Sequence, residues 1–198
     1  MCHMKSAVFH PRFQRIAIVA VRLSFRLFFG YRVVGQENVP DGACIVVSNH
    51  VQINDSCFVV IAVGGKVPFR AMAKKELFEI PFVNRLVTWL GAFPVDRSKA
   101  DVGAIKTALR AVQSGSRLLI FPQGTRGNAD TAAKSGAAML AVRTKAPVLP
   151  IYLPEKKRFW SRPTVVIGKP YLPEQTRDYD RVADDMKERI YALRQEAQ

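Results

Sequence analysis

A histidine followed five residues later by an aspartate is the pair in this sequence best suited to proton transfer. His50 ends the segment ACIVVSNH, whose β-branched apolar run predicts a buried strand, and Asp55 lies a short way downstream. On one helix the two side chains would point about 140° apart, so they can meet only if His50 lies in a loop and Asp55 in the first helical turn after it. A carboxylate that holds one imidazole nitrogen prepares the other to act as a general base. We therefore predict His50 as the base and Asp55 as its partner; a purely structural histidine is the alternative.

Two other short segments end in an arginine that follows a predicted strand. The segment GAFPVDR ends at Arg97, and FPQGTR ends at Arg126. Two guanidinium groups near the same sheet edge can hold a phosphate through paired hydrogen bonds. The side chain of Thr125 and the backbone of Gly124 would add donors. Each arginine taken alone is equally compatible with an ordinary surface charge, so the prediction depends on their position beside His50.

The elements that must position these residues alternate between short apolar strands and amphipathic helices. The strand-like segments are YRVVG, ACIVVS, PFRAMA, AFPV, RLLIF, APVLPIYL and TVVIGK. Helical patterns separate many of them, including residues 99–114, TAAKSGAAMLAVRT and residues 178–196. This alternation predicts an α/β fold, a single layered domain with a mostly parallel central sheet flanked by helices. Ligand sites in such folds lie beyond the carboxyl ends of the strands, which is where the candidate residues fall.

The N-terminal segment, residues 12–29, predicts a basic amphipathic helix. Its arginines fall within about 80° of arc on a helical wheel, and the rest of the wheel is apolar: Arg12, Arg15, Arg22 and Arg26. Charges interrupt it too often for a transmembrane span or a signal peptide. We divide the chain into residues 1–30, a membrane-surface helix, and residues 31–198, a catalytic domain. A helix packed on its own domain with a solvated arginine face is the alternative.

Composition restricts the partners. The chain has 198 residues and a net charge of +14, which favours anionic membranes, anionic ligands or nucleic acid. No groove-reading motif accompanies the charge, so we expect no nucleic-acid partner. The three cysteines form no CxxC pair and the three histidines have no ligand spacing, so we expect neither a disulfide framework nor a metal site. Cys57, close to Asp55, is predicted to be a buried helix residue without a role as nucleophile.

Four segments together resemble the bacterial 1-acyl-sn-glycerol-3-phosphate acyltransferase family, also called the lysophosphatidic acid acyltransferases. NHVQIND is similar to the NHxxxxD motif of that family, and GAFPVDR resembles its second block. FPQGTR resembles the third block, normally FPEGTR, and APVLPIYL resembles the fourth, an apolar strand around a proline. The four occur in the family order, and the resemblance covers about residues 32–170, which is most of the chain. One block alone would be weak support; four in order are specific.

The resemblance implies a reaction and a role for each candidate residue. A fatty acyl group would pass from acyl-CoA or acyl carrier protein to the sn-2 hydroxyl of lysophosphatidic acid, giving phosphatidic acid for phospholipid biosynthesis. His50 would deprotonate the hydroxyl while Asp55 orients the imidazole, and no acyl-enzyme or cofactor would be required. The phosphate of the acceptor would be bound by Arg97, by Arg126 and by Lys74, which lies within the segment MAKKELF.

Gln123 is a departure from the family pattern, which has glutamate at this position. A glutamine keeps the length and an acceptor oxygen but loses the charge and gains two donors. If the family glutamate binds the glycerol or the acceptor hydroxyl, glutamine can substitute for it. If its charge positions an arginine, either the affinity for the acceptor falls or the acceptor differs, for example a lyso-aminolipid or lysophosphatidylglycerol. A non-catalytic lipid-binding relative is a further alternative. Asn49, directly before His50, matches the residue before the motif histidine and is predicted to shape the loop.

The resemblance and the charge together predict an anionic membrane surface as partner and a peripheral or monotopic location on its cytoplasmic face. The basic segment at residues 154–163, PEKKRFWSRP, has three interpretations. It is an interfacial anchor through its two aromatic residues, a docking site for an acidic acyl carrier protein, or a solvated connection between strands. The apolar strip at residues 76–91 is expected either to line an acyl-chain channel or to pack in the core.

Overall fold

Seven strands form one twisted sheet with helices on both faces, as described for residues 8–96, 101–122 and 131–197 of a computed structural model. The strands are β1 (Arg32–Val34), β2 (Ile45–Ser48), β3 (Phe69–Lys74), β4 (Ala92–Val95), β5 (Arg117–Ile120), β6 (Val148–Tyr152) and β7 (Thr164–Ile167). The helices are α1 (Pro11–Phe29), α2 (Asp55–Val63), α3 (Pro81–Trp89), α4 (Val102–Gln113), α5 (Thr131–Thr144) and α6 (Tyr179–Ala192). The prediction of a single α/β domain with a mostly parallel sheet is confirmed.

The strand order places β2 in the middle of the sheet. The order is β1-β7-β6-β2-β5-β3-β4, and every pairing among these strands is parallel except β6 with β7. Strands β2, β3, β4, β5 and β6 therefore end at the same edge. The loop that follows β2, which carries His50, lies between the ends of β5 and β6, so three chain segments distant in sequence meet around it.

Alternate residues of β2 supply the cores on the two faces of the sheet. Ile45 and Val47 pack with residues of α4, α5 and α6, whereas Val46 packs with residues of α1 and α2. All four residues of β2 are fully buried, as expected for a central parallel strand that helices cover on both sides. Burial on both faces holds the carboxyl end of β2, and the loop after it, in one position.

Helix α1 is held against the domain by a buried glutamine. The side-chain amide of Gln14 donates to the carbonyl of Phe69 at 2.8 Å and to that of Leu90 at 2.6 Å, and its oxygen accepts from the N–H of Phe69 at 2.9 Å. Gly91 leaves room for this contact, because a β-carbon there would lie 2.7 Å from the Gln14 amide nitrogen. Helix α1 is thus tied to the start of β3 and to the end of α3.

Of the four arginines of α1, Arg22 is partly buried against α2 and the other three are exposed. Arg22 donates to the carbonyl of Ile61 in α2 at 2.6 Å, and Ile18 and Phe29 are buried beneath the helix. The other side of the same helix exposes a row of apolar residues: Ile16, Val19, Leu23 and Leu27. The sequence predicted one wide apolar arc; the structure divides that arc into a packed half and an exposed half.

One helix boundary and one of the two interpretations of residues 76–91 differ from the sequence prediction. Helix α4 begins at Val102, not at residue 99, because the carboxylate of Asp101 caps it by accepting from the N–H of Ala104 at 2.9 Å. The strip at residues 76–91 is not core: Ile80 and Phe82 are 53% and 78% exposed. Within the described part of the chain, no helix has the length and apolar character needed to cross a membrane.

Candidate active site

The loop between β2 and α2 brings His50 and Asp55 together. The Nδ1 atom of His50 lies 3.0 Å from Oδ2 of Asp55, and Asp55 is the first residue of α2, as the sequence predicted. The side chain of His50 is 12% exposed and that of Asp55 is fully buried. The buried carboxylate therefore contacts one edge of an imidazole that retains access to solvent.

The backbone of the same loop also binds Asp55. The N–H groups of Val51 and Gln52 donate to Oδ2 of Asp55 at 2.6 and 2.7 Å. Burial alone would raise the pKa of Asp55, but hydrogen bonding from His50, the contact with Lys157 and the Gln52 N–H outweigh it, so the pKa is lowered. Asp55 is thus a carboxylate at neutral pH, and its acceptor role fixes the neutral His50 tautomer with the proton on Nδ1.

The loop between β2 and α2 is here called the catalytic loop, after the predicted role of His50. Asn49 joins this loop to the chain just beyond β6. Its side-chain amide donates to the carbonyl of Leu153 at 2.8 Å, and its oxygen accepts from the N–H of Leu153 at 2.8 Å. Asn49 is 2% exposed, so these two bonds are made away from solvent. The asparagine before the histidine acts on the backbone just beyond β6, which agrees with the loop-shaping role that the sequence predicts for it.

The segment FPQGTR contributes an aromatic residue to the site. Phe121 follows β5, and its ring stacks on the imidazole of His50 with 4.1 Å between centroids and 19° between planes. One face of the imidazole is therefore covered by an apolar ring. The sequence analysis singled out the polar part of FPQGTR and missed this role; a phenylalanine directly after a buried strand adjacent to β2 was the signal that could have found it.

A second residue that sequence reasoning missed is Lys157. Its Nζ lies 2.8 Å from Oδ1 of Asp55 and donates to the carbonyl of Pro154 at 2.6 Å. The side chain is fully buried, although the sequence places it in the basic segment at residues 154–163, which was interpreted as a surface segment. Nothing in the local sequence separates Lys157 from the adjacent Lys156, which is exposed. The contact spans about half of the chain and depends on the tertiary fold.

Lys74 lies at the carboxyl end of β3, on the same sheet edge as the catalytic loop. Its side chain is 58% exposed and forms an ion pair of 3.5 Å with Glu76. The neighbouring Lys75 forms a shorter ion pair, 2.8 Å, with Asp96 after β4. The structure therefore places Lys74 on the predicted edge, with its ammonium group accessible to a ligand.

The remaining predicted residues lie outside the part of the chain that the structure describes: Arg97, Gln123, Gly124, Thr125 and Arg126. The described residues that precede them are at the expected edge, because Asp96 follows β4 and Pro122 follows β5. The side chain of Asp101 accepts from the N–H of Asp96 at 3.0 Å and so joins the end of β4 to the start of α4. The phosphate-binding assignments of the two arginines stay predictions.

The thiol nearest to the site is poorly suited to be a nucleophile. Cys57 lies in the first turn of α2, partly buried, and burial together with the charge of Asp55 raises the pKa of its thiol. A raised pKa favours the unreactive protonated thiol at neutral pH. Among the residues that the structure describes, the site therefore presents the imidazole of His50 as the candidate base and a thiol that its surroundings keep protonated.

An open groove of about 570 Å³ runs along the catalytic loop. Its walls combine the loop, the end of α1 and the basic segment: Phe29, Val51, Gln52, Ile53, Asn54, Lys157, Arg158 and Phe159. Phe159 stacks on Phe29 with 5.0 Å between centroids, and the N–H of Trp160 donates to the carbonyl of Phe28 at 2.8 Å. The exposed Phe159 and Trp160 thus pack against the carboxyl end of α1, and Phe159 also lines the groove.

Comparison with known proteins finds acyltransferases among the relatives of this chain. The chain is 35% identical over 135 residues to a 1-acyl-sn-glycerol-3-phosphate acyltransferase of Bacillus subtilis (strain 168), a match that covers 66% of each chain. It is 30% identical over 144 residues to the chloroplastic 1-acyl-sn-glycerol-3-phosphate acyltransferase BAT2 of Brassica napus, covering 70% of this chain and 41% of that protein. The chain thus spans between about two fifths and two thirds of the length of these curated relatives.

The fold has a close counterpart among solved structures. The 1-acyl-sn-glycerophosphate (LPA) acyltransferase PlsC from Thermotoga maritima matches with a TM-score of 0.71 and 25% sequence identity, over 95% of this chain and 82% of that one. The model of the Acyltransferase family matches residues 30–154, which include the catalytic loop, the ends of β3, β4 and β5, and the whole of β6. With its histidine and aspartate paired in that loop, this chain belongs to the Acyltransferase family.

Proposed function

We propose that this protein transfers a fatty acyl group from a thioester donor to the free sn-2 hydroxyl of lysophosphatidic acid, producing phosphatidic acid. The observation that carries the proposal is the contact of 3.0 Å between His50 and the buried carboxylate of Asp55, in a loop whose other residues line an open groove. The names of the relatives support the same acceptor, since they are 1-acyl-sn-glycerol-3-phosphate acyltransferases.

In the proposed reaction, Nε2 of His50 takes the proton of the acceptor hydroxyl as the oxygen attacks the thioester carbonyl. Asp55 stabilises the imidazolium that forms, because its carboxylate faces Nδ1. The carbon–sulfur bond breaks, the thiolate leaves with the carrier, and the proton passes from His50 to that sulfur. The transfer is direct, which agrees with a neighbouring cysteine whose raised pKa keeps it protonated. The chemistry requires no metal and no cofactor beyond the acyl donor.

The phosphate of the acceptor is assigned to Arg97 and Arg126, with Lys74 as a third cation. The position of these residues on the sheet supports this assignment. Asp96, Pro122 and Lys74 lie at the carboxyl ends of β4, β5 and β3, three neighbouring strands on one side of β2. Arginine suits this role because its planar fork binds two oxygens of a phosphate at once. Gln123 in place of the family glutamate is the one observation that favours a second acceptor, a lyso-aminolipid or lysophosphatidylglycerol.

An anionic membrane surface is the proposed site of action, on the cytoplasmic face. The exposed apolar row on α1, flanked by arginines, fits a helix that lies in the interface with its cations at lipid phosphates. Trp160, 70% exposed, lies against the carboxyl end of the same helix, next to Phe159, which lines the groove. A lipid acceptor could then reach His50 from the bilayer with its acyl chain still in an apolar environment. The donor would be acyl-CoA or acyl carrier protein, delivered from water.

The test is a comparison of acceptors on vesicles. Purified protein is mixed with vesicles containing lysophosphatidic acid, lysophosphatidylglycerol or a lyso-aminolipid, with acyl-CoA or acyl carrier protein as donor, and the acylated product is quantified. We expect lysophosphatidic acid to be the preferred acceptor by kcat/KM. Preference for another lysolipid would move the assignment to the second candidate, and transfer to none of them would refute the proposed activity.

A further inference from the structure

We propose that Lys157 is a positioning residue of the acyl-transfer site, whose buried ammonium group holds the carboxylate of Asp55 in the orientation that serves His50. The inference rests on the proposed function of the His50–Asp55 pair and extends it to a third residue. It assigns a role to a lysine located about one hundred residues downstream, in a segment that the sequence marks only as basic.

The geometry divides the two oxygens of Asp55 between different partners. Oδ2 lies 3.0 Å from Nδ1 of His50 and accepts hydrogen bonds from the backbone N–H groups of Val51 and Gln52. Oδ1 lies 2.8 Å from Nζ of Lys157. A carboxylate with hydrogen bonds at Oδ2 and an ion pair at Oδ1 cannot rotate without losing contacts on both sides. Lys157 therefore opposes any rotation of Asp55 that would turn Oδ2 away from the imidazole.

The lysine itself is well anchored. Its Nζ donates to the carbonyl of Pro154 at 2.6 Å and lies 5.9 Å from the centre of the Phe58 ring in α2. Pro154 directly follows Leu153, whose backbone is bonded to Asn49. The ammonium group is thus fixed by the chain segment that also holds the catalytic loop, so its position is set by the same framework as that of His50.

The burial of Lys157 argues against two other roles. Its side chain has no exposed surface, and Nζ is already engaged by Asp55 and Pro154, so it is not placed to bind the phosphate of an acceptor. Nor is a buried ion pair an efficient means of stabilising a fold, because desolvation of both charges offsets their attraction. A charge retained at this cost beside the proposed base is better explained by its effect on Asp55.

The experiment is a double-mutant cycle with Lys157→Met and Asp55→Asn, and Lys156→Met as the matched control. Methionine keeps the length and apolar stem of lysine and removes the charge.

Misplacing a catalytic group by about 1 Å costs about 10²-fold in rate, so we expect Lys157→Met to lower kcat by 10-fold to 100-fold with KM for both substrates within twofold. Lys156→Met, on the exposed neighbour, should keep wild-type kcat. In the double variant, kcat should match that of Asp55→Asn, since Lys157 acts only through Asp55.

Folding is followed by near-ultraviolet circular dichroism in every variant. Lys157→Met leaves Asp55 as an unpaired buried charge, and this variant therefore risks misfolding. In that case the proposal is tested by comparing kcat of Asp55→Asn with kcat of the double variant, because the double variant lacks both charges. A double variant at least tenfold slower than Asp55→Asn would overturn the proposal, as would a folded Lys157→Met with wild-type kcat.

A second readout does not depend on acyl transfer. In protein labelled with 15N at histidine, NMR reports which ring nitrogen of His50 carries the proton. We expect one tautomer, protonated at Nδ1, in the wild type and in Lys156→Met, and a mixture of tautomers in Lys157→Met. An unchanged single tautomer in Lys157→Met would contradict the positioning role. This result holds whichever lysolipid is the acceptor, so failure of the proposed activity and failure of this inference remain distinguishable.

Discussion

The ring of Phe121 lies nearly parallel to the imidazole of His50, with 4.1 Å between their centroids. The two residues follow adjacent strands, β5 and β2, and so link the third sequence motif to the first. Aromatic contacts of this kind contribute about 0.5–1.5 kcal/mol beyond the area they bury. The stacking limits tilting of the imidazole ring in a direction that the contact between Asp55 and Nδ1 does not restrain.

Replacing Phe121 with leucine should therefore slow the reaction without abolishing it. Loss of the stacking energy corresponds to a decrease in kcat of about 2-fold to 13-fold, since about 1.4 kcal/mol is one factor of ten. The measurement is steady-state kinetics on vesicles with lysophosphatidic acid. Phe121→Tyr, which keeps the ring, is the control and should remain within twofold of the wild type; an equal loss in both variants would show that the ring face is not what matters.

Replacing Asn49 with alanine should destabilise the protein as well as slow it. The substitution removes two bonds to the Leu153 backbone and leaves a buried N–H and a buried carbonyl without partners. Each unsatisfied buried group costs about 1–3 kcal/mol, so we expect the free energy of unfolding to fall by about 2 kcal/mol or more. Urea denaturation measures this directly. A change below 0.5 kcal/mol, on the order of a typical surface substitution, would show that Asn49 does not hold the loop.

The sequence could predict the layout of the site but not its inner contacts. Alternating patterns identified the strands that end at one edge, and the spacing of His50 and Asp55 already required a loop followed by a helix. Lys157 could not be found this way, because a lysine among other basic residues has no local signature for burial. The same holds for α1: a wheel shows a wide apolar arc, but only the packing of Gln14 and Ile18 decides which part faces the domain.

The exposed row on α1 predicts a specific defect in membrane binding. Leu23 is 65% exposed and does not belong to the packed face of α1, so Leu23→Glu should leave the fold intact. Loss of its burial in the bilayer costs about 1.5–3 kcal/mol, which lowers partition onto anionic vesicles by about tenfold or more. Vesicle sedimentation is the measurement.

Ser24→Glu is the matched control for this helix. Ser24 is also exposed, differs in position by one residue and receives the same charge, but it points about 100° away from Leu23. Its effect on vesicle binding should be at most about fivefold, which corresponds to about 1 kcal/mol for one charge near an anionic surface. Equal losses in Leu23→Glu and Ser24→Glu would mean that charge alone, and not the apolar row, controls binding.

Asp101 predicts a pH dependence of stability at the junction of β4 and α4. The N–H groups of Asp96 and Ala104 donate to its carboxylate and lower its pKa. A lowered pKa in the folded state stabilises the protein above the unfolded value of about 3.9, and this contribution is lost as the pH falls through the folded value. Asp101→Ala should therefore reduce the free energy of unfolding by about 1 kcal/mol at pH 7 and by much less at pH 3. An equal reduction at both pH values would contradict the role of the ionised cap.

The central claim, that the imidazole of His50 removes the proton from the acceptor hydroxyl, is tested most directly by His50→Ala. General-base catalysis contributes about 10²–10⁴-fold, so the initial rate of phosphatidic acid formation on vesicles should fall by at least 10²-fold. Binding of the variant to those vesicles and its near-ultraviolet circular dichroism should match the wild type. A folded, membrane-bound His50→Ala protein that retains more than a tenth of the wild-type rate would contradict the account.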